Sequence, residues 1–448
     1  MSILDRKIRS DIESRKNAEQ AVQETKDMNP SDMELEQVNA IIRIISDEYK
    51  EEVSTVGLDA IRPAIEEKIK NIVSHSGMDY LSQNRIQKIA ISSIFGLGPL
   101  EEFMKEGSRV TDIVVGPYNH ICIEDDTGVH LTQATFNSEE HLLQVINRIV
   151  QQAGRTINLA TPMVDARLKN GNRVHATIPP ATPDGATLTI RRFPEKSLTG
   201  EDFIALGSLN EKMLKFLELC VKGRASIIVS GGTTAGKTTV LNMLSSFIPD
   251  NELIITIEDS CELHLLQPNV RRMETRKATN EVGAITMRDL VKNSLRMRPD
   301  RIIVGEVRDE TIVDMMSAMS TGHDGSMGTI HANSPHNLVN SRIPTLFSQY
   351  KDGYFSPEGQ KMQIAEAVQI IVQISKVPHA GRKITHITTI DGVKNGEIVL
   401  QDLFRYNTEE HKFEQTDFYP TALLQHLLRN GVKIPDNFFP NHERQMSA

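Results

Sequence analysis

The chain has 448 residues, of which 39% are hydrophobic and 24% charged, and a formal net charge of −9. These are the values of an ordinary globular protein of two to three domains. The acidic balance argues against non-specific nucleic-acid binding across the surface, so any polyanion contact must be local and no direct nucleic-acid partner is expected. No apolar run approaches the ~20 residues that span a bilayer. The opening MSILDRKIRSD lacks the apolar middle of a signal peptide, so a cytoplasmic protein is expected. Cys122, Cys220 and Cys261 have no Cys or His neighbour at metal-ligand spacing. They read as three reduced thiols, two of them buried.

Residues 1–30 carry many charges and few apolar anchors and read as a charged tail, frayed or disordered. Ser31 and Glu34 form a capping-box pattern. It opens a run with Leu35, Val38, Ile41, Ile42 and Ile45 at helical spacing. Two more apolar stripes follow, Ile61 to Val73 and Ile86 to Ile94, so a helical bundle of three helices is predicted over residues 31–97. GLGPL at 96–100 breaks the pattern. From about residue 110 the periodicity becomes that of strands: 113–115, 121–124 and 129–131, separated by turn residues. An amphipathic helix is predicted over 141–153, then strands over 173–178 and 187–192. Residues 98–193 thus read as a small α+β domain. Residues 194–210, polar with one Pro and two Gly, read as a linker.

From residue 211 to 448, helices alternate with short apolar strands at 227–229, 253–257, 302–304, 327–330 and 368–374, the pattern of an α/β domain with a parallel sheet. A hairpin over 384–406 and a helix over 422–429 close it. Within this region Gly231-Gly232-Thr233-Thr234-Ala235-Gly236-Lys237-Thr238 fits the phosphate-loop pattern G-x-x-x-x-G-K-[ST], with Thr239 next. It lies between a buried-type strand and a helix, as the motif requires. Glycines let backbone N–H groups converge on a polyphosphate, the lysine reaches the terminal phosphates, and the Thr238 hydroxyl holds Mg²⁺. ATP and Mg²⁺ are the expected ligands.

In a nucleotide hydrolase, carboxylates lie at the ends of strands beside the loop strand. One strand ends in Glu258-Asp259, and Arg301-Ile-Ile-Val-Gly-Glu306 has the apolar-run-then-acid form of a Walker B segment. Glu306 suits Mg²⁺ ligation, partly through water. In TGHDGSMGTIHANS (321–334), His331 falls at the same sheet edge, where it can meet the γ-phosphate. His323 can bond across the sheet or contact the nucleotide. Zinc shared by the two histidines is the competing reading, disfavoured because no third ligand is spaced to join them. Arg155, Arg167, Arg173, Arg191 and Arg192 cluster within forty residues. Each alone reads as surface charge, and together they admit an arginine finger from another domain. Met315, Met316 and Met319 at helical spacing read as helix core.

These motifs resemble a known family. GLGPLEEF (96–103), VTDIVV (110–115), PMVDARLKNGNRVHATIPP (162–180), TLTIRRF (187–193), GGTTAGKTTVLN (231–242), TIEDSCEL (256–263), LRMRPDRIIVGEVRDE (295–310) and TGHDGSMGTIHANS (321–334) occur in the order found in secretion ATPases of the type II/type IV group. With THIT and LQDLF (385–404), the chain is most similar to the CpaF-type ATPases of Tad pilus systems. The resemblance implies a RecA-like C-terminal P-loop NTPase domain and a PAS-like N-terminal domain after the helical bundle. It also implies a homo-hexamer working on polytopic inner-membrane platform proteins from the cytoplasmic side. Glu258 is then the water-activating base, Glu306 the support for Mg²⁺, and His331 the γ-phosphate contact. Arg173 and Arg191 match the N-terminal arginines that approach the phosphates. Thr234-Ala235 stands where Gly-Ser is frequent, a change that keeps small side chains. Two rival functions are a conjugation or DNA-transfer ATPase of the same superfamily and a nucleotide-binding switch with little turnover.

Overall fold

The computed structural model describes residues 31–440 except 57–59, 106, 126–127, 169, 193–196, 277, 279–282 and 436, so the tail expected over residues 1–30 lies outside the described residues. The chain divides into two compact units, Met1–Glu195 and Lys196–Ala448.

In the first unit, Asp32–Glu48 (α1), Lys50–Val56 (α2), Arg62–Ser74 (α3) and Tyr80–Phe95 (α4) are helices. Ser31 starts α1 with a reciprocal cap: its hydroxyl accepts from Glu34 N, and the Glu34 carboxylate accepts from Ser31 N at 2.7 Å. Asp79 caps α4, accepting from Leu81 N and Ser82 N. The three long helices bury Val38, Ile41, Ile45, Ile65, Ile69, Val73, Ile86 and Ala90 in one core, as their stripes predict. The short α2 is an addition that the stripes do not show.

Six strands follow: Asp112–Val115 (β1), Ile121–Asp125 (β2), Gly128–Leu131 (β3), Met163–Arg167 (β4), Arg173–Thr177 (β5) and Thr187–Arg191 (β6). They form one antiparallel sheet in the order β3-β2-β1-β6-β5-β4. The helix Glu139–Gln152 (α5) buries Leu142, Val145, Ile146 and Ile149 with Ile113, Val115, Leu188 and Ile190 of the sheet. Each such side chain contributes about 1.5–3 kcal/mol.

The second unit begins inside the expected linker, and the rest of that segment is folded. Thr199 and Asp202 form a capping box for a helix at Gly200–Ala205 (α6), and Phe203 and Leu209 join the core. Apolar residues spaced among polar ones gave the segment its linker-like composition. Then come Glu211–Lys222 (α7), Ile227–Gly231 (β7), Lys237–Ser245 (α8), Ile254–Glu258 (β8), Val270–Glu274 (β9), Met287–Ser294 (α9), Arg301–Val307 (β10), Thr311–Ser320 (α10) and Met327–His331 (β11). Short helices at Pro335–Asn337, Ile343–Phe347 and Pro357–Ala367 lead to Ile370–Val377 (β12), Gly381–Lys394 (β13), Glu397–Asn407 (β14), Lys412–Gln415 (β15) and a last helix, Thr421–Arg429. The sheet order is β15-β14-β13-β12-β7-β11-β10-β8-β9. From β12 to β9 neighbouring strands are parallel, and β13 to β15 extend the edge antiparallel. Alternate strand residues feed cores on the two faces: Ile227 and Val229 to one, Ile228 to the other. Burial on both faces is why these strands read as unbroken apolar runs. Met315, Met316 and Met319 lie in the second of these cores. Of the three free cysteines only Cys220 is buried, whereas Cys122 and Cys261 are half-buried because they sit on a sheet face and a loop rather than under a helix.

Arg301, the first residue of β10, has no solvent exposure. Its guanidinium donates to Glu252 Oε2 at 2.5 Å, Gly325 O at 3.0 Å and Val221 O at 2.9 Å. Removing Arg301 would leave the buried Glu252 balanced by the partly exposed Arg224, 3.1 Å away, and would strip the Gly325 and Val221 carbonyls of their donors. Arg301→Leu should therefore cost about 3–5 kcal/mol in urea melts of the full chain, and the added Glu252→Leu change should recover part of that loss.

Candidate functional site

Gly231 ends β7 level with Ile374 of β12. A Cβ on Gly231 would lie 2.4 Å from Ile374 O, so any side chain here would part the two strands. The chain then turns through Thr234 at φ +53° and Gly236 at φ +101°. Glycine adopts the left-handed conformation freely, whereas it costs a residue such as threonine about 1–2 kcal/mol. The turn leaves Thr233 and Thr234 exposed, Gly232, Thr238 and Thr239 half-buried and Ala235 buried. Gly236 is the N-cap of α8, whose first peptide N–H groups and dipole favour an anion at the loop. Lys237, 9% exposed, donates from Nζ to Gly232 O at 2.9 Å. Burial pulls its pKa down, and the charge of Glu306 opposes that fall.

Three further predicted residues stand at the same sheet edge. β11 runs beside β7 with His331 opposite Gly231. β10 and β8 come next in the sheet. Val304 is opposite Ile257, which brings Gly305 level with Glu258. A Cβ on Gly305 would lie 2.9 Å from Glu258 Cγ, so this glycine makes room for the carboxylate. The pairing of β10 with β11 slips between Val304 and Val307, and Thr329 Oγ1 pins the irregularity by donating to Gly305 O at 2.7 Å. Such a bulge re-aims the side chain it carries, here Glu306.

The two glutamates have opposite surroundings. Glu258 is 2% exposed. Its Oε2 accepts from Glu262 N at 2.7 Å and Leu263 N at 3.0 Å, while Oε1 has no partner. Burial pushes its pKa up to about 7, against those two hydrogen bonds. Glu306 is paired with Arg308, whose Nη2 lies 2.5 Å from Oε2, and Arg308 also reaches Asp259 Oδ2 at 3.4 Å. The pair is open to solvent and adds at most about 1 kcal/mol of stability, so its effect is to place Glu306. The Thr238 hydroxyl and the Glu306 carboxylate are hard oxygen donors of the kind Mg²⁺ takes alongside phosphate and water, and the unpartnered Glu258 Oε1 is an acceptor lacking a donor. The residues fit the expected ligands.

Other expectations fare differently. His323 precedes β11, at the opposite end of that strand from His331, so it neither contacts a nucleotide at this edge nor shares a metal with His331. Its N–H and carbonyl instead close the loop that ends in Gly325 and Ser326. Among the described residues no three His, Cys, Asp or Glu side chains group closely enough to hold a metal. Arg173 and Arg191 are opposite each other on β5 and β6 of the first unit, both exposed, with Arg191 Nε 3.0 Å from Asp112 Oδ1. Arg192 is tied to the carbonyls of Ser108, Val110 and Lys105, and Arg167 to that of Gly171. These two are scaffold. Gly305 and Arg308 were not singled out by sequence, although a glycine inside an apolar strand run signals a close approach or a bulge.

The raised pKa of Glu258 fixes a pH dependence. Below about 4.5 the carboxyl is protonated folded and unfolded alike; from there to about 7 the unfolded chain ionises first, and stability falls. Glu258→Gln should therefore exceed the parent by on the order of 2–3 kcal/mol at pH 8. The difference should vanish near pH 4.5 in nucleotide-free thermal melts.

Comparison with known proteins adds the lineage. A family described as Type II/IV secretion system protein matches residues 95–398. A putative conjugal transfer protein of Mycobacterium tuberculosis is 31% identical over 310 residues, covering 68% of this chain and 87% of that protein. The type IV secretion system protein VirB11 of Bartonella quintana is 28% identical over 317 residues, covering 63% and 88%. Among solved structures, the VirB11 ATPase of Brucella suis aligns with TM-score 0.36 and 25% identity over 66% of this chain and 97% of that one. The pilus retraction motor PilT with bound ADP aligns with TM-score 0.47 and 19% identity over 75% and 86%. With the family match running from the end of α4 into β14, and with a relative matched over most of its own length, this chain belongs to the Type II/IV secretion system protein family.

Proposed function

We propose that this protein is a Mg²⁺-dependent ATPase, acting as a homo-hexameric motor that powers assembly of a Tad-type pilus. The observation that carries the hydrolytic reading is Glu258, a dry carboxyl with one oxygen uncommitted, at the strand edge that also bears Lys237, Glu306 and His331. Two backbone N–H groups hold Oε2, which leaves Oε1 to take a proton from water. A base titrating near 7 is well matched to that task. Glu306 is poorly suited to it, because Arg308 already occupies its Oε2. Lys237 and the first turn of α8 bind the phosphates, and His331 beside Gly231 meets the γ-phosphate. Thr238 and Glu306 would hold Mg²⁺, which supplies charge neutralisation on the phosphates.

The CpaF-like motif order supports the pilus reading, the RecA-like and PAS-like pairing, and work on polytopic inner-membrane platform proteins from the cytoplasmic side. No helix among the described residues is long and apolar enough to cross a membrane. Arg173 and Arg191, exposed on the neighbouring strands β5 and β6, are the arginines that the resemblance assigns to the phosphates. A conjugation ATPase is the second reading, favoured by relatives named as conjugal transfer proteins.

Lys237→Ala should abolish steady-state phosphate release, and normal turnover in that variant would sink the mechanism. Glu258→Gln should still bind ATP yet hydrolyse it ~10²–10⁴-fold more slowly. Cells carrying Lys237→Ala should lack surface pili, whereas a DNA-stimulated ATPase rate would favour conjugation.

A further inference from the structure

The phosphate loop has a second cationic neighbour, on the side away from the carboxylates. β12 pairs with β7 as far as Ile374 opposite Gly231, continues to Val377, and β13 returns from Gly381. The hairpin therefore projects past the sheet edge from which the loop springs. Near its tip Lys376 and Arg382 are directly opposite each other, and both are exposed. Arg382 Nε donates to Thr234 O at 3.3 Å. A Cβ on Gly236 would lie 3.5 Å from Arg382 Cδ and 3.4 Å from Ile374 Cδ1, so the arginine stem and Ile374 flank the loop together. The backbone at Arg382 is held in turn, its carbonyl accepting from Ser208 Oγ at 2.9 Å.

Two features of this pair are unexplained by the fold. Like charges directly opposite in an antiparallel pair repel, yet among the described residues neither Lys376 nor Arg382 has a carboxylate within ion-pairing distance. A guanidinium also carries five N–H donors, and among the described residues one of these is used. Uncompensated charge and idle donors beside a phosphate loop call for an anion. Strand order says which part of it: His331, Glu306 and Glu258 lie on β11, β10 and β8, to one side of β7, and Arg382 lies on the other.

We propose that Arg382, assisted by Lys376, binds the nucleotide's non-reacting diphosphate from the side of the loop opposite His331. This rests on the reading of the loop as an ATP site. The arginine's bidentate fork suits phosphate oxygens, and its place away from Glu258 makes it a binding group rather than a hydrolytic one.

ADP, which lacks the γ-phosphate, separates the cases. Calorimetric titration of the full chain with MgADP should show Arg382→Gln weakened about tenfold or more, and a non-hydrolysable ATP analogue should lose affinity by a similar factor. Arg382→Lys, which keeps the charge, should lose less, and Lys376→Ala should lose about threefold. Arg382→Gln retains a donor for Thr234 O, so its nucleotide-free melting temperature should match the parent's. An ADP affinity within twofold of the parent's, or a loss confined to the ATP analogue, would overturn the proposal while leaving the ATP site standing. A parent chain that binds neither nucleotide would overturn the site itself.

Discussion

A guanidinium with no access to water underlies the working edge of this sheet. Charge is tolerated in such a place only when it is paired and fully hydrogen-bonded. Arg301 meets that requirement by drawing in Glu252 before β8, Gly325 before β11 and Val221 at the end of α7. A Cβ on Gly325 would lie within bonding distance of Arg301 Nη1, so the fit is tight. Three strands are thereby tied at their starting ends. Their finishing ends, five or six residues after Glu252, Arg301 and Gly325, carry Glu258, Glu306 and His331. The spacing of these groups thus depends on a polar knot beneath the sheet as much as on anything around the phosphate loop.

At the other end, two carboxyls of one residue type are given different characters by their surroundings. Glu258 is dry and keeps one oxygen uncommitted, which raises its proton affinity. Glu306 is wet and clasped by Arg308. Separating the surroundings of neighbouring acids is a common way to divide roles at one site. Here a single glycine makes the separation possible, because Glu258 can lie flat over Gly305 only where no side chain intervenes.

Much of this was legible in the sequence, for physical reasons that also mark the limits. The α/β sheet could be read because strands buried on both faces are unbroken apolar runs, and the loop because phosphate binding needs a fixed local spacing. Placing Glu258, Glu306 and His331 at one edge required only that parallel strands share a direction. The edge strand Val270–Glu274, largely exposed and charged, gave no apolar run to read. His323 and His331 lie in one glycine-rich stretch, but a strand separates them to opposite ends of the sheet, which spacing along the chain does not show. Residues 197–210 looked like a linker because composition does not reveal that Phe203 and Leu209 share a core. Arg382 acts through a partner 148 positions away, which local pattern cannot show. The motif order pointed to the Type II/IV secretion family, to which the chain belongs.

The contact between Gly231 and Ile374 has a mechanical side. Two backbones with no side chain between them have no compliant layer, so the root of the phosphate loop and β12 shift as one body. β12 feeds directly into β13, a 14-residue strand. At about 3.3 Å per residue that arm extends roughly 45 Å, with β14 and β15 hydrogen-bonded alongside. β13 folds back along β12 over Ile370–Val377, so a shift at the loop's root enters the added strands through a continuous hydrogen-bonded ladder. The strands added at the sheet's edge are therefore in register with the strand that borders the loop.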